Sequence, residues 1–494
     1  MTVLPRGIGK VDVGITLGRA GEPFDEDDPS QVAAWLDAWI PDAQVDRGVE
    51  MLVSRGFEIM GRSRCTLSLR AEPELFERYF SSKVVCTPVP VPPGAPAMFT
   101  CTIAEGADPR IPDELKDLVG TVTIQPVSRA LAAPSATPPA VPGASFLDVM
   151  NDVPRLLNAA AAHAAGVTGA GVRLTMIDTG FDHGHPFFVA QGFHSTVLLA
   201  AGAQSAGTDS SGHGTGCSAN VFAVAPGVEF TGIKIGDDID GMAGSAPLLV
   251  GFQRALGFDP AHPHKRNGDG QHPLPQIISV SVSCGEKPGT SPPWHTLPAE
   301  LTPLEACVRE AVLASGIAVV AAAGNLGERG FPAQMKNVIA AGGAFKTRQG
   351  DLKASDFASA FTSRVYPGRK VPDLCGLCGE GLHADYIMLP VPPGSDHDRE
   401  CGVFDGTTKQ DGWARFSGTS AAAPQLAGIC ALLLEKNPGL SPQQLKHLLT
   451  ANATDVEQGV TAAMDGTTGQ AATSGIDRAT GAGLANAFDA LSRA

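Results

Sequence analysis

Four short segments of this chain carry residue types that together could break an acyl bond. Ser420 stands in Phe416-Ser-Gly-Thr-Ser-Ala-Ala-Ala-Pro424, among small residues that let a second backbone approach closely. Ala421 to Ala423 are expected to open a helix, with Pro424 in a first turn whose N–H groups lack intrahelical partners. The apolar run Leu426 to Leu434 reads as the buried body of that helix. A hydroxyl so placed lies at the positive end of the helix dipole, beside N–H donors suited to an oxyanion. Asp178 closes the aliphatic strand Val172-Arg-Leu-Thr-Met-Ile-Asp178-Thr-Gly180, so its carboxylate falls at a strand's C-terminal edge. Open α/β sheets gather their ligands at that edge. His213 lies in Asp209-Ser-Ser-Gly-His213-Gly-Thr-Gly216, where flanking glycines allow a tight turn and leave the imidazole projecting. Asn325 ends Val319-Val-Ala-Ala-Ala-Gly-Asn325 and offers an amide N–H₂ to a developing negative charge. Each alone has a bland reading: an Asp capping a turn, a surface histidine, a common Gly-Thr-Ser tripeptide. Hydroxyl, imidazole, carboxylate and amide together are the parts of nucleophilic acyl transfer.

In the order Asp178, His213, Asn325, Ser420 these segments resemble the subtilisin family of serine proteases. The resemblance rests on Ile-Asp-Thr-Gly at 177–180, Gly-His-Gly-Thr at 212–215, Ala-Ala-Gly-Asn at 322–325 and Ser-Gly-Thr-Ser-Ala-Ala-Ala-Pro at 417–424. It extends from about Val167 to the end, where Gly-Ala-Gly-Leu-Ala-Asn-Ala at 481–487 is similar to the family's closing segment. The related sedolisin family shares the nucleophile motif but replaces this His and Asn with Glu and Asp. The resemblance implies a triad of Asp178, His213 and Ser420, with the Ser420 N–H and the Asn325 side chain as oxyanion hole. It also implies a doubly wound parallel α/β sheet flanked by helices. Position 216 departs from the pattern, holding Gly where the family usually has a second histidine, which alters packing behind His213. A substrate-pairing strand is expected at Ile277-Ile-Ser-Val-Ser-Val-Ser-Cys-Gly285, binding an extended peptide by β-augmentation. Ser283, Cys284 and Gly285 are the favoured substrate-binding wall, with Ser281-Val282-Ser283 as the alternative alignment. Neither is charged, so an apolar or small side chain before the scissile bond is the default expectation.

The chain's 494 residues exceed one small domain. A formal charge of −15 argues against nucleic acid or an anionic membrane surface as partner. No stretch of about 20 residues is apolar enough to span a bilayer. The N-terminus shows no secretory leader pattern. Ten cysteines are scattered singly apart from Cys375-Gly-Leu-Cys378, a spread that suits free thiols in a reducing compartment. A cytoplasmic location follows as the expectation, with leaderless export as the alternative.

Residues 1–126 precede the resemblance and read as a small α+β domain. Helices are expected at Asp46–Arg55, Glu72–Phe80 and Pro112–Val119, and strands at 57–70, 98–103 and 121–126. In size and position this unit is similar to the family's propeptides, which implies an intramolecular inhibitor; a permanent interaction module is the competing reading. Residues 127–149 form a Pro/Ala-rich linker, extended and able to thread a cleft, with processing expected between Gln125 and Ser145. The catalytic domain is assigned to 150–494.

Other signals are set aside. The chemistry requires no cofactor, and although relatives often bind calcium, Asn267-Gly-Asp-Gly-Gln-His272 lacks the ligands of a calcium loop. Asp237, Asp238 and Asp240 read as a solvated loop. Cys375, Cys378 and Cys401 lack a fourth ligand for zinc. The insertion from Phe345 to Trp413 is expected to border the cleft and restrict substrates. The reading is therefore a serine endopeptidase made as a self-inhibited zymogen. Its rivals are a peptide-ligating acyl transferase on the same triad and a peptide-binding protein that no longer cuts.

Overall fold

The computed structural model describes residues 10–22, 24–89, 98–124, 146–236, 245–259, 273–346, 350–379, 386–401, 412–464 and 468–494. The central element is an eight-stranded sheet. Its strands run in the order Leu352–Ala354, Ile339–Lys346, Ala318–Ala322, Ile277–Val280, Arg173–Asp178, Glu229–Lys234 and Ser195–Leu199, with Leu374–Leu377 also paired to Ile339–Lys346. All pairings are parallel except that of Leu352–Ala354. The inner strands are buried on both faces, which explains their unbroken aliphatic character. Beyond the Arg173–Asp178 strand the chain builds outward through Ser195–Leu199 and Glu229–Lys234. It then returns to build the other side from Ile277–Val280. That reversal places a crevice at the carboxyl ends of the central strands.

Two long helices begin at His213 and Thr419, beside this crevice. One spans His213–Val224 and is buried along its whole length. The other spans Thr419–Lys436 and packs against it and against the central strands. It begins two residues earlier than expected, so Pro424 lies in the second turn rather than the first. A proline there cannot donate to the carbonyl four residues back. That carbonyl belongs to Ser420, and Ser281 Oγ donates to it instead at 2.8 Å. The helix therefore keeps its proline without an orphaned acceptor, and the segment after the Ile277–Val280 strand is tied to Ser420.

The N-terminal unit is a four-stranded antiparallel sheet ordered Glu58–Arg62, Thr66–Ala71, Val11–Leu17, Val119–Ile124. The strand expected over 57–70 is in fact two. Ser63 Oγ accepts from Cys65 N and Thr66 N and folds the chain into a turn between them. The helix expected over 112–119 is a single 3₁₀ turn, Asp113–Leu115, and the final strand starts at Val119. One face of the sheet buries Val45, Val49, Leu52, Phe76 and Phe80 from the helices Asp42–Ser54 and Pro73–Tyr79 and their ends. The other lies on the catalytic-side helices Ser245–Ala255 and Thr302–Arg309.

Specific bonds hold this contact. Gln253 Nε2 donates to Thr66 Oγ1 at 2.9 Å, and Glu310, fully buried, accepts from Arg64 N at 3.0 Å and Cys65 Sγ at 3.2 Å. Arg309 pairs with Glu26, both shielded from solvent. Gly61 leaves no room for a side chain, since a Cβ there would sit 1.7 Å from Gln253 Oε1. Gly61→Val should therefore weaken docking by about 1–3 kcal/mol. Hydrogen exchange over Ser245–Ala255 in a Ser420→Ala background would read this as faster exchange, and unchanged protection would contradict it.

Cys86 and Cys101 form a disulfide within the hairpin Val84–Val89 and Met98–Ile103, whereas free thiols are expected from the sequence spread. The other eight cysteines are free and buried. Among the described residues no helix is long and apolar enough to cross a membrane. Residues 125–145, which hold most of the linker and the expected processing region, lie outside the described residues. The linker's last residues are structured: Phe146–Asp148 is a strand pairing in parallel with Tyr386–Pro390, which in turn pairs with Trp413–Phe416.

Candidate active site

Three strand ends and two helix starts meet in the crevice. Asp178 is the last residue of its strand and fully buried. Its Oδ1 accepts from His213 Nδ1 at 2.7 Å and from Thr179 N at 2.8 Å. His213 opens its helix directly after Gly212, whose φ of 83° lies in the left-handed region open to glycine. A carboxylate on Nδ1 leaves Nε2 as the basic nitrogen. Asp209 braces the arrangement by accepting from Thr215 N at 2.9 Å, Thr215 Oγ1 at 2.7 Å and Thr179 Oγ1 at 2.9 Å. Burial works against a charged His213, but the adjacent Asp178 carboxylate and Cys217 outweigh it and hold the imidazole well above its ordinary 6.5. Cys217 lies one turn along the helix, with Sγ 3.8 Å from His213 Nε2. The missing side chain at 216 is accounted for by the Phe416 ring, which would lie 2.6 Å from a Cβ there.

Ser420 is the second residue of its helix and 1% exposed. Its Oγ donates to Ser281 O at 2.9 Å. Asn325 follows the Ala318–Ala322 strand, with its Oδ1 accepting from Thr419 N at 3.0 Å and Thr419 Oγ1 at 3.1 Å. A backbone N–H can only donate, so the oxygen must face Thr419 and Nδ2 points away. Asn325 Nδ2 is buried without a hydrogen-bond partner. Gly418, at φ 138°, leaves it clear; a Cβ there would come within 3.2 Å. A buried donor left free beside a hydroxyl at a helix start is the arrangement that stabilises an oxyanion.

In the segment expected to pair with substrate, Ser281 carries the carbonyl that accepts from Ser420 Oγ. Ser283 Oγ instead accepts from Phe331 N and Gly285 N, both at 3.1 Å. Cys284 N donates to Phe331 O at 3.2 Å, and Gly285 lies so close to Arg329 that a Cβ would meet its carbonyl oxygen at 2.0 Å. The insertion does reach the site. Its helix Asp396–Cys401 docks on the loop before His213, with Asp396 N and His397 N donating to Ser210 O and Ser211 O, each at 3.0 Å. The His397 ring stacks on Phe416 at 4.9 Å and stands 5.6 Å from that of His213, and burial lowers its pKa to about 3. His397 and Asp209 carry no motif of their own, although Asp209 lies one turn of chain before His213. Cys375 and Cys401 donate to the carbonyls of Thr480 and Arg415. Residues 267–272 and the aspartates at 237, 238 and 240 lie outside the described residues.

The subtilase family model (Peptidase_S8) matches residues 169–483, well over half of the chain. The chain belongs to the subtilase family. This subtilase is 29% identical over 311 residues to alkaline elastase YaB of Bacillus sp. (strain YaB), covering 60% of this chain and 62% of that one. It is 29% identical over 306 residues to the subtilisin-like protease PopC of Myxococcus xanthus, covering 59% and 57%. It is 27% identical over 311 residues to subtilisin E of Bacillus subtilis, covering 60% and 64%. The matched part thus spans roughly three fifths of each of these relatives. Among solved structures, fervidolysin from Fervidobacterium pennivorans, described as a keratinolytic enzyme related to subtilisin, superposes with a TM-score of 0.55. That match has 16% identity and covers 99% of this subtilase and 62% of fervidolysin, so it speaks for the fold.

Proposed function

We propose that this subtilase is a serine endopeptidase acting through an acyl-enzyme on Ser420. The observation that carries the reading is the free, buried Asn325 Nδ2 on the residue whose Oδ1 holds Thr419, next to Ser420, in a site that also carries the Asp178–His213 pair. In this mechanism the Ser420 hydroxyl turns from Ser281 O toward His213 Nε2, gives up its proton and attacks the scissile carbonyl carbon. Asn325 Nδ2 and the Ser420 N–H receive the oxyanion while Asp178 supports the imidazolium. His213 then protonates the leaving amine, and water activated by the same imidazole releases the acid. No step calls for a cofactor.

The N-terminal domain acts in this proposal as an intramolecular inhibitor. Its support is the docked sheet and the buried Glu310, Gln253 and Arg309 contacts, together with a connecting segment that leads from that sheet to Phe146. The Cys86–Cys101 disulfide favours an oxidising compartment over a cytoplasmic one.

An unstructured peptide incubated with the protein in H₂¹⁸O tests the reaction. Internal cleavage with ¹⁸O in the new carboxylate is expected; joined products would favour the ligating transferase, and an untouched peptide would favour a binding protein. A pH prediction follows from His213. The base works only when neutral, and its pKa is held above 6.5, so kcat/KM should still be rising with pH above that value. A plateau reached below pH 6.5 would contradict the pairing with Asp178.

A further inference from the structure

The main chain around Ser420 locates the pocket for the side chain preceding the scissile bond. Ser281 O touches the Ser420 hydroxyl, and the chain that continues from it through Gly285 pairs with Arg329 and Phe331, a few residues beyond Asn325. A peptide with its carbonyl oxygen against Asn325 Nδ2 would lie along that segment, which would turn its acyl-side side chain toward the seam between Ser281–Gly285 and Asn325–Phe331. Backbone bonds close this seam: Glu286 N to Arg329 O at 3.0 Å, Arg329 N to Glu286 O at 2.8 Å and Cys284 N to Phe331 O at 3.2 Å.

Glu328 is set in the seam. It is 7% exposed, and its own N–H donates to Asn325 O at 3.0 Å, which couples it to the oxyanion amide. Its Oε1 faces Ser283 Oγ at 3.5 Å, the same hydroxyl that receives the Gly285 amide. Among the described residues no lysine or arginine forms an ion pair with it; neighbouring Arg329 pairs with Glu286 instead. A carboxyl buried without a cation is costly unless neutral or supplied with one.

We propose that Glu328 is the floor of the pocket for the residue preceding the scissile bond and makes that pocket select lysine or arginine. This rests on the endopeptidase reading above. Ser283, Cys284 and Gly285 then form the wall, and the expectation of an apolar or small residue gives way to a basic one. Burial pushes the Glu328 carboxyl up to about 8 against the pull of Lys287, so near neutrality the empty pocket holds a neutral acid. An entering ammonium or guanidinium takes the place of that proton as the carboxyl's partner.

The test is kcat/KM on chromogenic peptides that differ only in Arg, Lys, Leu or Phe before the scissile bond, for wild type and Glu328→Gln. Wild type should favour Arg or Lys over Leu by about tenfold or more, and the substitution should cut that ratio by about tenfold or more. Wild type favouring Leu or Phe, or a ratio unmoved by the substitution, overturns the inference. The wild-type comparison does not depend on the variant folding, and fluorophosphonate labelling of Ser420 reports an intact site in both proteins. A labelled wild type that cleaves the set without basic preference sinks the Glu328 inference alone. No label and no cleavage sinks the endopeptidase reading with it.

Discussion

Replacing Ser420 by Ala should lower peptide hydrolysis by about six orders of magnitude in kcat, a loss borrowed from the equivalent change in a subtilisin rather than calculated. The substitution removes one oxygen from a helix start that is otherwise intact. Ser420 Oγ makes one hydrogen bond, to Ser281 O, and the helix is held by packing along its buried length, so folding should survive. The residual rate measures what Asn325 and the backbone donors achieve without a nucleophile. The same variant tests self-processing. Intact mass after matched incubation should show the 50.8 kDa chain whole in the variant and split between Gln125 and Ser145 in wild type. Wild type staying whole would make the N-terminal sheet a permanent module. A variant that cuts peptides at wild-type rate would remove Ser420 from the mechanism.

Asp178→Asn should cost about four orders of magnitude in kcat at neutral pH, the scale seen when a triad carboxylate becomes an amide. Asp178 Oδ1 receives both the His213 Nδ1 proton and the Thr179 N–H, while Oδ2 is buried with no hydrogen-bond partner. An amide turned toward the imidazole would present a donor to a nitrogen that already carries hydrogen, forcing the wrong tautomer. Turned the other way, it keeps one acceptor but loses the charge that supports the imidazolium, and it buries an unsatisfied N–H₂. Either orientation disables the base. Single-turnover acylation of a peptide ester separates this from loss of binding, because the defect belongs in the acylation rate. A loss under tenfold would show that Asp178 does not direct His213.

The placement of the four candidate residues was legible because each sits at the end of a local pattern. Asp178 and Asn325 close aliphatic strands, and His213 and Ser420 open helices after glycine, so chain-local signals carried their positions. Glu328 and His397 were not legible. Glu328 belongs to a loop whose meaning comes from pairing with Ser283–Glu286, and His397 reaches the site only because the insertion folds back across Ser210 and Ser211. Pro424 lies one turn deeper than its sequence suggests because Gly418 and Thr419 start the helix before the alanines. In the front domain the alternation of Val11, Val13, Ile15 and Leu17 carries the signal of an inner strand, and the structure adds that strand to those expected. The turn at Ser63 depends on one hydroxyl accepting two amides, and hydrophobic periodicity does not report such bonds.

The short strand Phe146–Asp148 sets a limit on how this chain can be divided. It covers one edge of Tyr386–Pro390, whose other edge carries Trp413–Phe416, the residues that lead into the Ser420 turn. A fragment starting at residue 150, where composition alone would draw the border, strips that edge and exposes bare backbone donors and acceptors one strand from the reaction centre. Such a fragment invites a foreign strand to fill the gap. The smallest self-contained catalytic piece therefore begins no later than Phe146, and that border is drawn by ladder bonds contributed from a segment some 240 positions further along the chain.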